Sequence, residues 1–176
     1  ASDVEGASAL IVRSVTSVNE SLLVKSNISF VGTCTIGIDH LATEYLDTAD
    51  IEWCSAPGCN ANSVVEYVYA ALADVGINWR HQKVGIIGCG NVGGALYRRL
   101  KSQNVSLRCY DPFLTSAENE DVTTLADVLA CDVICMHTPL TKSGQHPTYH
   151  LIGEKELALL KPGAVLINAG RGPVID

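Results

Sequence analysis

Short apolar runs alternate with amphipathic stretches along the whole chain, which predicts strands and helices taken in turn. Residues 9–12, Ala-Leu-Ile-Val, form an apolar run closed by Arg13 and predict a buried strand. A short helix is expected over 19–25, a strand over 28–31, a helix over 40–49 and a strand over 51–54. Leu41, Tyr45 and Leu46 set the helical spacing of that second helix, and Pro57-Gly58 ends the series. Asn60 or Asn62 can cap a longer helix through 74, with Val64, Val65, Val68, Tyr69 and Leu72 as its apolar face. The order then continues as strand 83–87, helix 91–102, strand 106–110, helix 121–130, strand 132–137, helix 153–160 and strand 164–168. Such alternation implies parallel sheets with helices on their faces. The expected architecture is α/β: part of a smaller, flavodoxin-like substrate domain over 1–60, then a doubly wound, Rossmann-type dinucleotide-binding domain over 61–176. That second domain needs further strands to be complete, so the chain is expected to be truncated at its carboxyl end, and the missing initiator Met suggests the same at the other.

The run from Lys83 to Asp111 carries the first chemistry. Gly88, Gly90 and Gly93 stand in G-x-G-x-x-G spacing between a predicted strand and a predicted helix. The first glycine makes the tight turn, the second lets backbone approach a pyrophosphate, and the third lets helix pack on strand. Asn91 and Val92 open the helix, whose free N–H groups form an anion site. Asp111 follows Gly93 by 18 residues and ends the next strand, where a carboxylate can bond the ribose hydroxyls. A carboxylate also repels a 2′-phosphate, and no Arg or Lys follows within 112–116, so NAD is expected over NADP. The alternative is that Asp111 only opens a turn with Pro112.

Composition narrows the partners. A net charge of −7 and a pI near 5.1 argue against nucleic acid or an anionic membrane surface. No segment is long and apolar enough to span a bilayer, and no signal peptide is recognisable. Seven cysteines form no C-x-x-C pair, which fits a reducing cytoplasm. His40 with Glu44, and His146 with His150 and Glu154, have helical ligand spacings, but neither supplies a convincing set, so no metal is expected.

Ligands of open parallel sheets bind beyond the carboxyl ends of the strands. Two further segments fall there: His137-Thr138-Pro139-Leu140, and Asn168-Ala169-Gly170-Arg171-Gly172. Thr138 is a candidate for the nicotinamide half of the cofactor, or else a simple strand-end turn before Pro139. Arg171, between two glycines, offers a planar cationic fork suited to a carboxylate and a neighbouring carbonyl.

The glycine fingerprint, H-T-P-L at 137–140 and N-A-G-R-G-P-V-I-D at 168–176 together resemble the D-isomer-specific 2-hydroxyacid dehydrogenases, and the resemblance runs from about residue 7 to 176. V-R-S-V-T at 12–16, G-T-C-T-I-G-I-D-H at 32–40 and A-P-G-C-N-A-N-S-V-V-E-Y-V at 56–68 narrow it to a branch of pyridoxal 5′-phosphate (vitamin B6) biosynthesis. The resemblance implies transfer of hydride from C2 of 4-phospho-D-erythronate to NAD, leaving a 2-oxo acid. It implies that Arg171 is catalytic, that Ser14 and Thr35 contact the substrate as hydroxyl donors, and that Asp111 and Thr138 contact the cofactor. Arg13, beside Ser14, either attracts the phosphorylated acid or makes an ordinary ion pair. Cys89 is expected to be a tolerated small residue, and His137 a strand-end residue. A homodimer is usual in the family. Its catalytic Glu and His have no counterpart within the 176 residues, so these alone are expected to turn over little or nothing, a general base being worth roughly 10²–10⁴-fold. Two other readings stay open: a member acting on phosphoglycerate, glycerate or lactate, and a non-catalytic NAD-sensing protein on the same scaffold.

Overall fold

A computed structural model describes residues 4–176, and the chain divides into two compact units, Ala1–Asn60 and Ala61–Asp176. In the first, β1 (Ala9–Val12), β2 (Phe30–Thr33) and β3 (Glu52–Ser55) lie side by side in that order, all parallel. Helices α1 (Glu20–Leu23) and α2 (Thr43–Thr48) connect them. Val12, Val18, Leu23, Ile28, Val31, Leu41 and Leu46 form the core of this unit. Asn19 caps α1, its side chain accepting the Leu22 N–H.

Two expectations shift here. The second strand lies two residues later than 28–31, because Phe30–Thr33 is the stretch in register with Ala9–Val12. His40 stands outside α2, which begins at Thr43, so it shares no helix with Glu44.

The second unit opens with α3 (Ala61–Asp74), which buries Val65, Val68 and Leu72. Asn60 therefore precedes the helix and Asn62 lies inside it. A parallel sheet follows in the order β5-β4-β6-β7, from β4 (Lys83–Ile87), β5 (Ser106–Tyr110), β6 (Val133–Met136) and β7 (Val165–Asn168). The chain runs outward from β4 to β5, then returns across the sheet to β6 and β7. The boundary between β4 and β6 is thus the switch point, where open α/β sheets form a crevice.

The buried strands feed two cores. Ile86 of β4 with Val133 and Cys135 of β6 join α3 and α4 (Asn91–Lys101) on one face. Ile87, Ile134 and Met136 join Val128 and Leu129 of α5 (Leu125–Leu129) on the other, where Ile152 and Val174 also pack. Alternate residues point to opposite faces of a strand, so one apolar run serves both layers.

Helix α5 is shorter than the expected 121–130. Asp121, Val122 and Thr123 instead run beside β5: Cys109 donates its N–H to the Asp121 carbonyl at 2.8 Å and accepts from the Thr123 N–H at 2.8 Å. The helix starts after Thr124, whose hydroxyl accepts the Asp127 N–H. Helix α6 (Glu154–Leu157) is also only one turn.

Candidate dinucleotide site

The glycine turn joins β4 to α4 with almost no slack. Gly88 takes φ +84°, a conformation that other residues rarely adopt. Its N–H donates to the Tyr110 carbonyl at 2.9 Å, while His137 donates to the Ile87 carbonyl at 2.8 Å. A Cβ on Gly93 would stand 1.8 Å from the Gly88 oxygen, so helix and strand can approach only without one. Gly90 differs. Its φ is −70° and a Cβ there would meet no protein atom within 4 Å. Gly90 also gives α4 no side-chain cap, so the first N–H groups, from Asn91 and Val92 on, rest on no capping side chain. The geometry leaves both the space and the donors to an anion.

Asp111 ends β5 in a double role. Oδ1 accepts the Phe113 N–H at 3.0 Å and Oδ2 accepts the Cys89 N–H at 2.9 Å. The turn reading is thus correct as far as it goes, but the same carboxylate also ties the strand end to the glycine turn. The neighbouring Cys109 thiol holds Cys89 below the usual thiol range.

Outside the carboxyl ends of β4, β5 and β6 lies a cavity of about 400 Å³. Ile87, Gly88, the segment Tyr110 to Phe113 and Thr138 form its floor and sides, and the loop around Ser143 to Thr148 its far wall. Sequence reading missed that wall. Thr141 and Thr148 clasp it at its base: the Thr141 N–H donates to Thr148 Oγ1 at 2.8 Å, and Thr148 donates back to the Thr141 carbonyl at 3.0 Å. Across the mouth, Phe113 meets His146 edge to face, 5.3 Å between ring centres. Two β-branched residues seven apart were the only signal.

Backbone 137–138 is the centre on which the glycines converge. A Cβ on Gly88 would come within 3.1 Å of the His137 carbonyl, and one on Gly170 within 2.7 Å of the Thr138 carbonyl. Thr138 Oγ1 and both ring nitrogens of His137 are buried without a hydrogen-bond partner among the described residues. Buried polar groups normally have partners, so these three atoms set the cluster apart from the rest of the core. Burial pushes His137 down to about 4, which leaves it neutral at pH 7 and unsuited to carry a proton.

Arg171 follows β7 by three residues, just before a single 3-10 turn at Gly172–Val174. Asn168 shapes this segment from both sides: its Oδ1 accepts the Gly170 N–H at 3.0 Å and its Nδ2 donates to the Arg171 carbonyl at 3.0 Å. Asn168 is a support that the motif contained but the sequence reading did not single out.

In the first unit, Ser14 is exposed just past β1, and Thr35 is buried just past β2. His146 and His150 do not share a helix: His150 has φ +54° and pairs with Asp176 at 3.1 Å. No group of three or more His, Cys, Asp or Glu able to hold a metal occurs among the described residues. No described helix is long and apolar enough to cross a membrane.

A family model of the D-isomer specific 2-hydroxyacid dehydrogenase, NAD binding domain, matches residues 62–176. Erythronate-4-phosphate dehydrogenase of Cellvibrio japonicus (strain Ueda107) is 65% identical over 176 residues, all of this chain and 47% of that protein. The enzyme of the same name from Teredinibacter turnerae (strain ATCC 39867 / T7901) is 55% identical over 99% of this chain and 47% of its own length. The chain therefore spans about half the length of the curated relatives it matches. Among solved structures, NAD+-bound 3-phosphoglycerate dehydrogenase of Entamoeba histolytica aligns with a TM-score of 0.82 at 25% identity, over 99% of this chain and 59% of its own. These matches and the fold agree: the chain belongs to the D-isomer-specific 2-hydroxyacid dehydrogenase family, and residues 62–176 are its NAD-binding domain.

Proposed function

We propose that the protein is an NAD-dependent dehydrogenase that oxidises C2 of 4-phospho-D-erythronate to the 2-oxo acid, within pyridoxal 5′-phosphate biosynthesis. The observation that carries this reading is Arg171 beyond β7, its backbone held by Asn168 in the same unit that carries the glycine fingerprint. Relatives named for this substrate match the chain from end to end.

Gly88, Gly90, Asn91, Val92 and Gly93 receive the pyrophosphate, Asp111 the adenosine ribose and Thr138 the nicotinamide half. NAD, when bound, supplies the hydride acceptor. The Arg171 guanidinium grips the substrate carboxylate with two parallel bonds and steadies charge on the reacting oxygen. Residues 1–60 contribute part of the substrate domain, in which Ser14 and Thr35 touch the acid. The protein works in the cytoplasm as a homodimer.

Steady-state assays on the intact protein test this reading. Turnover of 4-phosphoerythronate should exceed that of 3-phosphoglycerate, glycerate and lactate in kcat/KM. A preference for one of those acids transfers the assignment to another branch of the family. NAD binding with no turnover of any of them makes the protein a sensor.

A further inference from the structure

At the carboxyl end of β2 the first unit buries three polar side chains together, Thr33, Thr35 and His40, at 2%, 7% and 9% exposure. Their contacts run in one line. Thr35 Oγ1 lies 3.0 Å from the Gly37 carbonyl oxygen, Thr33 Oγ1 lies 2.8 Å from Thr35 Oγ1, and His40 Nε2 lies 3.0 Å from Thr33 Oγ1. A carbonyl only accepts, and each hydroxyl has a single hydrogen. Thr35 spends its hydrogen on Gly37, so Thr33 must donate to Thr35. The hydrogen between His40 and Thr33 then has to sit on Nε2. One carbonyl oxygen thus sets the direction of the whole chain of bonds. His40 Nδ1 is buried with no partner among the described residues, so among them the ring acts through Nε2.

The direction has a chemical consequence. Thr35 has no hydrogen left to give and offers a ligand only a lone pair. An ionised carboxylate or phosphate is likewise acceptor-only, so neither can bond this side chain. A hydroxyl can. In a 2,3-dihydroxy acid, the C2 hydroxyl must release its proton to a base as it is oxidised, which leaves the C3 hydroxyl as the donor free for Thr35.

Resting on the reading that Thr35 touches the acid, we propose that His40 is a positioning residue that acts through Thr33 to hold Thr35 as an acceptor for the substrate's C3 hydroxyl. This reverses the expectation that Thr35 is a hydroxyl donor. It also makes the first unit a reader of hydroxylation and leaves the anionic groups to other side chains.

Three measurements on the intact protein test it. Nitrogen-15 spectra of the histidines should show His40 protonated at Nε2 with Nδ1 bare. Protonation at Nδ1 alone would break the chain of bonds and overturn the proposal, whatever the substrate. Next, kcat/KM should fall about tenfold for 2-hydroxy-4-phosphobutanoate, which lacks the C3 hydroxyl, the size of one neutral hydrogen bond. In Thr35→Val that discrimination should vanish, and its survival there refutes the role of Thr35. Finally, His40→Gln, which keeps a donor, should retain the wild-type KM for the acid, whereas His40→Leu should raise it about tenfold with kcat unchanged. The KM for NAD reports that the second unit is intact in each variant. Equal KM values for the Gln and Leu variants would sink the role of His40. Failure of the wild type to oxidise 4-phosphoerythronate falls on the functional reading instead, and the histidine spectrum still decides the bond direction.

Discussion

The Asp111 carboxylate ends β5 yet holds the glycine turn after β4, its Oδ2 accepting the Cys89 N–H at 2.9 Å. The side chain proposed to select the cofactor therefore also holds the turn. Asp111→Ala should weaken NAD binding by about tenfold or more and narrow the gap between NAD and NADP, since it removes both an acceptor for the ribose hydroxyls and a repulsive charge. Titration of each dinucleotide by fluorescence checks this. An unchanged NAD-to-NADP ratio would limit Asp111 to its turn.

Two glycines of the fingerprint should separate fold from function. Gly93→Ala forces a Cβ to within 1.8 Å of the Gly88 oxygen and should cost about 3 kcal/mol or more, or abolish folding. Gly90→Ala meets open space and should leave stability within about 0.5 kcal/mol while weakening NAD binding about tenfold or more. Denaturant unfolding alongside NAD titration measures both. Equal destabilisation by the two substitutions would contradict the assignment of Gly90 to the ligand.

His137 makes stability depend on acid. Burial depresses its folded value to about 4, below that of the unfolded chain. Its contribution is therefore intact above about pH 6.5 and erodes as pH falls toward 4, at about 1.4 kcal/mol per unit. Between pH 7 and pH 5 the wild type should lose about 2 kcal/mol through this group, and His137→Gln should not. Urea unfolding of both proteins at the two pH values decides. Parallel losses would place the acid sensitivity elsewhere.

Arg171→Lys keeps the charge but loses the planar fork. If the guanidinium grips the substrate carboxylate, kcat/KM should fall roughly 10²-fold or more while NAD affinity stays within about twofold. A comparable drop in NAD affinity would mean that Arg171 serves the cofactor instead.

Much of this was legible along the chain. The run at 83–87 became β4 at those bounds, because a strand buried on both faces needs a nearly continuous apolar sequence, and 106–110 became the edge strand β5, in which only Leu107 and Cys109 are buried. Local periodicity was weaker at 121–130, where backbone pairing with Cys109 claimed Asp121 to Thr123 before the helix could start. Tertiary pairing overrode the helical reading there. The loop Thr141 to Thr148 carried no periodic signal at all, since a cavity wall is defined by what it faces.

The sequence by itself determined the parallel α/β plan, the glycine turn with its acid, and the arginine past the last strand. These depend on spacing, and spacing survives in one dimension. Only the tertiary structure decided that Asp111 also holds Cys89, that the backbone of His137 and Thr138 is wedged between Gly88 and Gly170, and that Thr35 has already spent its hydrogen. A hydrogen bond has direction and length, and both depend on atoms brought together from distant parts of the chain or around a turn.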